Sequence, residues 1–81
     1  MTRNEINQYL CAILTTLREL DTDAAESTIY LAMGMDLPKY EQIRDIAIAA
    51  KLIVVQSHRI SLTEAGKEMA DRINSAMAGA K

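Results

Sequence analysis

The sequence predicts a mainly α-helical chain with one small β-hairpin, in the order helix, helix, helix, hairpin, helix. Three observations predict it. Apolar residues recur at three- and four-residue spacing from Ile6 to Leu20, the pattern of one buried helix face. Gly34 and Pro38 punctuate the middle of the chain as a helix stop followed by a helix start. Two β-branched-rich runs, Ile53 to Gln56 and Arg59 to Leu62, are separated only by Ser57-His58, which is hairpin spacing.

The first helix is expected over about residues 3–20. Thr2 and Glu5 form a capping box, in which each side chain satisfies the other residue's backbone N–H. Ile6, Leu10, Ile13, Leu14, Leu17 and Leu20 supply the apolar face, and Asp21-Thr22-Asp23 ends the helix. Asp23 with Glu26 offers a second capping pattern, opening a helix over about 24–34 that carries Ile29, Tyr30, Leu31 and Met33. Gly34 supplies a left-handed terminator. After the turn Met35-Asp36-Leu37, Pro38 is suited to the first position of a third helix over about 38–50, where its missing N–H costs nothing. Two helices joined by a tight Gly-containing turn make a helix-turn-helix. The hairpin spans about 53–62. Thr63 then caps a last helix over about 63–77, with Ala65, Met69, Ile73 and Met77 as its apolar stripe and Gly79-Ala80-Lys81 fraying.

With 81 residues, 49% of them apolar, the chain reads as a single globular domain over 1–81 near the lower size limit for independent folding. It has no Trp or Phe, so the core must come from Ile, Leu, Met, Ala and Tyr. The lone Cys11 cannot form an internal disulfide and falls in an apolar helical pattern, as a buried structural thiol would. No run approaches the roughly 18 apolar residues of a membrane span, and the polar start Met1-Thr2-Arg3-Asn4-Glu5 is not a signal peptide. A cytoplasmic protein with no membrane partner is therefore expected.

The net charge of −2 is uneven. Residues 1–36 hold two basic and six acidic residues (−4), residues 37–67 five and three (+2), and the rest two and two. A polyanion-binding surface is thus expected in the middle segment, with only a weak positive field.

No catalytic constellation stands out. His58, next to Ser57, has no orienting acid evident in the sequence, and with no second His or Cys nearby it is not a metal ligand. Asp21 and Asp23 lack the downstream Gly and Glu of a calcium loop. Gly34 and Gly66 are isolated, so no phosphate-cradling loop is present. The expectation is no enzyme, no metal and no cofactor.

Ile43 to Ala50 closing a helix, Leu52-Ile53 opening a strand, and Leu62-Thr63-Glu64-Ala65-Gly66 following the hairpin together resemble the winged helix-turn-helix domains of small prokaryotic transcription regulators. The likeness covers nearly the whole chain. It departs at Lys51, where the family usually has Gly before Leu-Ile, and in the shortness of the wing.

The resemblance implies that duplex DNA is the partner and that the third helix lies in the major groove. Lys39 and Gln42 would then contact the groove, Arg44 and Lys51 the phosphates, and His58 and Arg59 would stand at the wing. At about 100° per residue, Tyr40, Ile43, Ile46, Ala47 and Ala50 fall on the core side of this helix. Pro38, Glu41, Gln42, Asp45 and Ala49 fall opposite. Glu41 and Asp45 place like charges where phosphates would approach, which opens a second reading: a winged helix that docks on another protein through this acidic face or through Ile48. For the cations the bland alternative is a solvated surface with local pairs such as Glu41 beside Arg44. For Arg59 it is a charge that keeps the hairpin edge soluble. The first and last helices, with Tyr9, Cys11, Met69 and Met77, are the expected surface for a homodimer, or else simply close the core.

Overall fold

The computed structural model describes residues 2–79, with side chains described through residue 76. The elements are α1 (Arg3–Leu20), β1 (Ala24–Ala25), α2 (Glu26–Ala32), α3 (Leu37–Ala49), β2 (Ile53–Gln56), β3 (Arg59–Leu62) and α4 (Glu64–Gly79). Mainly helical structure with a small antiparallel sheet is thus the observed fold class, and the layout is compatible with a winged helix. No described helix is long and apolar enough to cross a membrane.

α1 begins at the expected capping box: the Glu5 N–H donates to Thr2 Oγ1 at 3.2 Å and the Thr2 N–H to Glu5 Oε1 at 3.3 Å. The hydrogen bonds hold Glu5 below the usual carboxylate range. Ile13, Leu14 and Leu17 bury almost completely, whereas Leu20, expected on the same face, is 47% exposed at the helix end. Cys11 is half-buried rather than fully buried.

The second helix starts later than the sequence suggests. Ala24 and Ala25 pair with Ile60 and Arg59 and form the first strand of a sheet ordered β1-β3-β2. Asp23 therefore caps nothing, and the N-cap of α2 is Ala25, with no side-chain hydrogen bond. The N–H of Glu26 is satisfied by the His58 carbonyl at 2.9 Å. A second strand edge on β3 has won over a local cap, because β3 would otherwise leave backbone groups unpaired on that side.

Gly34 adopts the expected left-handed conformation, φ 66°. α3 starts one residue earlier than predicted, because Asp36 accepts the Lys39 N–H at 3.0 Å as its cap. Lys51 takes φ 61°, so the tight turn into β2 forms with a lysine in the glycine-like conformation. In the hairpin turn Ser57 and His58 have φ of 50° and 63°, positive at both positions as in a type I′ turn.

The described core gathers Ile13, Leu14, Leu17, Ile29, Met35, Tyr40, Ile43, Ala47, Leu52, Ile53, Ile60 and Ala70. Two helix faces are rotated from expectation. On α3, Ile46 (39% exposed) and Ala50 face solvent, because the seam is the narrow stripe Tyr40, Ile43 and Ala47. On α4, Gly66, Ala70 and Ile73 turn inward, while Ala65 and Met69 are exposed. Thr63 does cap this helix, accepting the Gly66 N–H at 3.0 Å. The helix is described through Gly79; Ala80, Lys81 and the Met77 side chain lie outside the described residues. α4 also joins α1 through Arg18 and Asp71, Nε to Oδ1 3.0 Å.

Candidate nucleic-acid interface

The outward face of α3 is Pro38, Glu41, Gln42, Asp45 and Ala49, all exposed as the helical spacing predicts. Lys39 is exposed in the first turn and Lys51 just past the last. These two lysines bracket a helix whose middle is acidic. Gln42 is the one amide on the face, beside a shallow depression lined by Ile6, Asp45 and Ile46.

Arg44 lies on the flank of α3 that faces α2, with its side chain 24% exposed. Nε and Nη2 each donate to Asp45 Oδ1 at 3.2 Å, and Nη1 donates to Glu26 Oε1 at 3.4 Å. Glu41 Oε2 is 3.9 Å from Nη2, and the guanidinium carbon sits 5.9 Å from the centre of the Tyr40 ring. Burial works against the charge here, but the hydrogen bond and charge of Asp45, then those of Glu26, outweigh it and raise the Arg44 pKa.

Among the described residues Glu26 is the buried polar one, at 9% exposure. Tyr40 Oη donates to its Oε1 at 2.9 Å. Burial, then the hydrogen bond to Glu26, pushes the Tyr40 phenol above its ordinary value of 10.0. Tyr30 packs against Tyr40 with ring centres 5.2 Å apart. His58, at the wing tip, places Nδ1 3.7 Å from Glu26 Oε2 while its side chain stays 96% exposed. Arg44 and His58 therefore converge on one carboxylate, in a cleft of about 420 Å³ between α2, α3 and the wing.

Arg59 is separate from this cleft. It lies on the outer face of the hairpin with Asp23, Val54, Gln56 and Ser61. Its Nε donates to Asp23 Oδ2 at 2.7 Å and its Nη2 to Oδ1 at 3.3 Å. The hydrogen bond lowers the Asp23 pKa and raises that of Arg59.

Of the six expected contact residues, Arg44 and Arg59 are thus engaged by carboxylates of the same chain, while Lys39, Gln42, Lys51 and His58 present exposed side chains. Sequence spacing suggested Glu41 as a partner of Arg44. It missed Glu26 and Asp23, which are 18 and 36 residues from their arginines. The one available signal was the pair of acids flanking Ala24-Ala25, and local spacing reads it as a cap. Among the described residues no cluster of three or more His, Cys, Asp or Glu is placed to hold a metal. In comparisons with known proteins, no family model, no curated protein and no solved structure matches the chain.

Proposed function

We propose that this chain is a winged-helix DNA-binding domain, acting as a small transcription regulator by binding and not by catalysis, without a cofactor, in the cytoplasm. The observation that carries the reading is the presentation of α3: its whole outward face is exposed, Lys39 stands exposed at its start and Lys51 at its end, and the hairpin brings His58 to the adjoining flank against Glu26. Lys39 and Gln42 would enter the groove, and Lys51 would hold a phosphate. Arg44, His58 and Arg59 would complete the backbone contacts. The test is fluorescence anisotropy with a labelled random duplex as salt is varied. A DNA binder shows log affinity falling with log salt at about 0.9 per phosphate neutralised. No binding at about 50 mM salt removes the reading, since non-specific electrostatics supply binding at that salt.

A second reading is favoured by one observation: the two arginines are already paired, and α3 exposes Glu41, Asp45, Ile46 and Ile48. A protein partner with a basic, apolar surface fits that face. Ile48→Glu weakening such a complex while leaving the DNA titration unchanged would select this alternative.

For a homodimer, the support is an apolar depression of about 540 Å³ between α1 and α4, lined by Cys11, Ala12, Thr15 and Ile73, with Met69 exposed nearby in sequence on α4. Tyr9 is partly buried against the chain's own core. Sedimentation equilibrium at high micromolar concentration decides: a monomer there rules the dimer out.

A further inference from the structure

Asp23 immediately precedes β1, and the register that sets Ala25 opposite Arg59 brings its carboxylate to the guanidinium. The contact is a two-pronged fork, Nε to Oδ2 and Nη2 to Oδ1, and Nη2 also donates to the Asp23 carbonyl oxygen at 3.4 Å. Both side chains are about half exposed, Arg59 at 53% and Asp23 at 47%, so an anion in solution can reach the pair. The geometry that a guanidinium offers a carboxylate is the one it offers a phosphate. A phosphate arriving at the wing therefore does not meet a bare cation. It must take the place of a carboxylate already seated there, and that carboxylate repels it. Arg44 differs: its side chain is 24% exposed, it is shared among three carboxylates, and its guanidinium lies over Tyr40, so it is held by several partners where Arg59 is held by one.

We propose that Asp23 is an internal counterion of the wing arginine, holding Arg59 in the free protein and releasing it to a nucleic-acid phosphate only by exchange. This rests on the DNA-binding reading above and assigns Asp23 a positioning role within it. The exchange holds down the wing's contribution on an arbitrary duplex, where no contact around the wing offsets the lost ion pair.

The experiment is a salt titration of random-duplex binding with wild type, D23N, R59Q and the double variant. Release of one exposed ion pair and engagement of one phosphate predict that D23N binds about two- to fivefold tighter near 50 mM salt, its salt slope steeper by about 0.9. In the R59Q background the same Asp23 substitution should change little. An equal gain with and without Arg59 overturns the proposal, because removal of a negative charge would then act through space alone. So does a D23N affinity equal to or below that of wild type while wild type binds normally, an outcome that leaves the DNA reading standing. No binding by any of the four proteins defeats the DNA reading itself, and the proposal with it. Should D23N fold poorly, the Arg59 Nε–Hε resonance in wild type gives the same answer. It stays at its free-protein position as random duplex is added if Asp23 retains the arginine, and a shift that saturates with binding overturns the proposal.

Discussion

Gly66, in the first turns of α4, lies directly against the backbone carbonyl of Leu52, so closely that a Cβ built on it would overlap that oxygen and come within 3.1 Å of Leu62 Cδ2. The obstacle is backbone, which cannot swing away as a side chain would. This contact sets the depth at which α4 seats on the start of β2, and with it the helix phase that turns Ala70 inward and Met69 outward.

Gly66→Ala is accordingly expected to destabilise the fold by about 3 kcal/mol, the upper range for overpacking a rigid site. A urea melt followed by far-UV circular dichroism measures it. A midpoint equal to wild type would show that α4 can shift without loss.

The hairpin turn should be improvable. Ser57 and His58 both hold positive φ, a conformation that Asn and Gly adopt with less strain. Replacing them with Asn and Gly is expected to add about 1 kcal/mol of stability. Thermal unfolding at neutral pH tests this, and a fall in Tm would mean that the His58 side chain contributes more through Glu26 than the turn gains.

Tyr40 predicts a loss of stability in alkali. Its phenol titrates above the ordinary 10.0 in the folded chain because it is buried and bonded to Glu26. Above that ordinary value the unfolded chain gives up the proton while the folded chain keeps it, so the folded state binds more protons and stability falls as pH rises. The contribution is intact below about pH 10 and is lost as pH climbs toward the folded-state value. Tyr40→Phe should flatten this part of the pH–stability curve relative to wild type, and at neutral pH cost about 1–2 kcal/mol for the hydrogen bond. Curves of equal steepness above pH 10 would contradict the assignment.

Asp23 should titrate below 3.8, held down by the Arg59 hydrogen bond. Carboxyl-detected NMR of the folded chain reads this directly, and R59Q should return the midpoint toward the ordinary aspartate value. A midpoint unmoved by R59Q would mean that the fork is not populated in solution.

The parts of this fold legible in sequence were those governed by neighbours along the chain. Thr2 and Glu5 meet because they are three residues apart. Gly34 stops a helix where it stands, and Ser57-His58 close a hairpin whose strands are adjacent. The outward face of α3 was legible for the same reason, since helical spacing alone orders Pro38, Glu41, Gln42, Asp45 and Ala49.

The tertiary structure decided what depends on partners far away. Asp23 and Glu26 have the spacing of a capping motif, but β3 claims Ala24 and Ala25 as a strand and hands the two acids to Arg59 and to Tyr40 with Arg44. Ile46 and Met69 are large and apolar and still face outward, because the seam of α3 is narrow and α4 is seated by the smallness of Gly66. Hydrophobicity along the chain identifies which residues can be buried. Which of them are buried, and which cations stay unpaired by carboxylates of the same chain, is set by close packing and charge pairing between elements that sequence spacing does not connect.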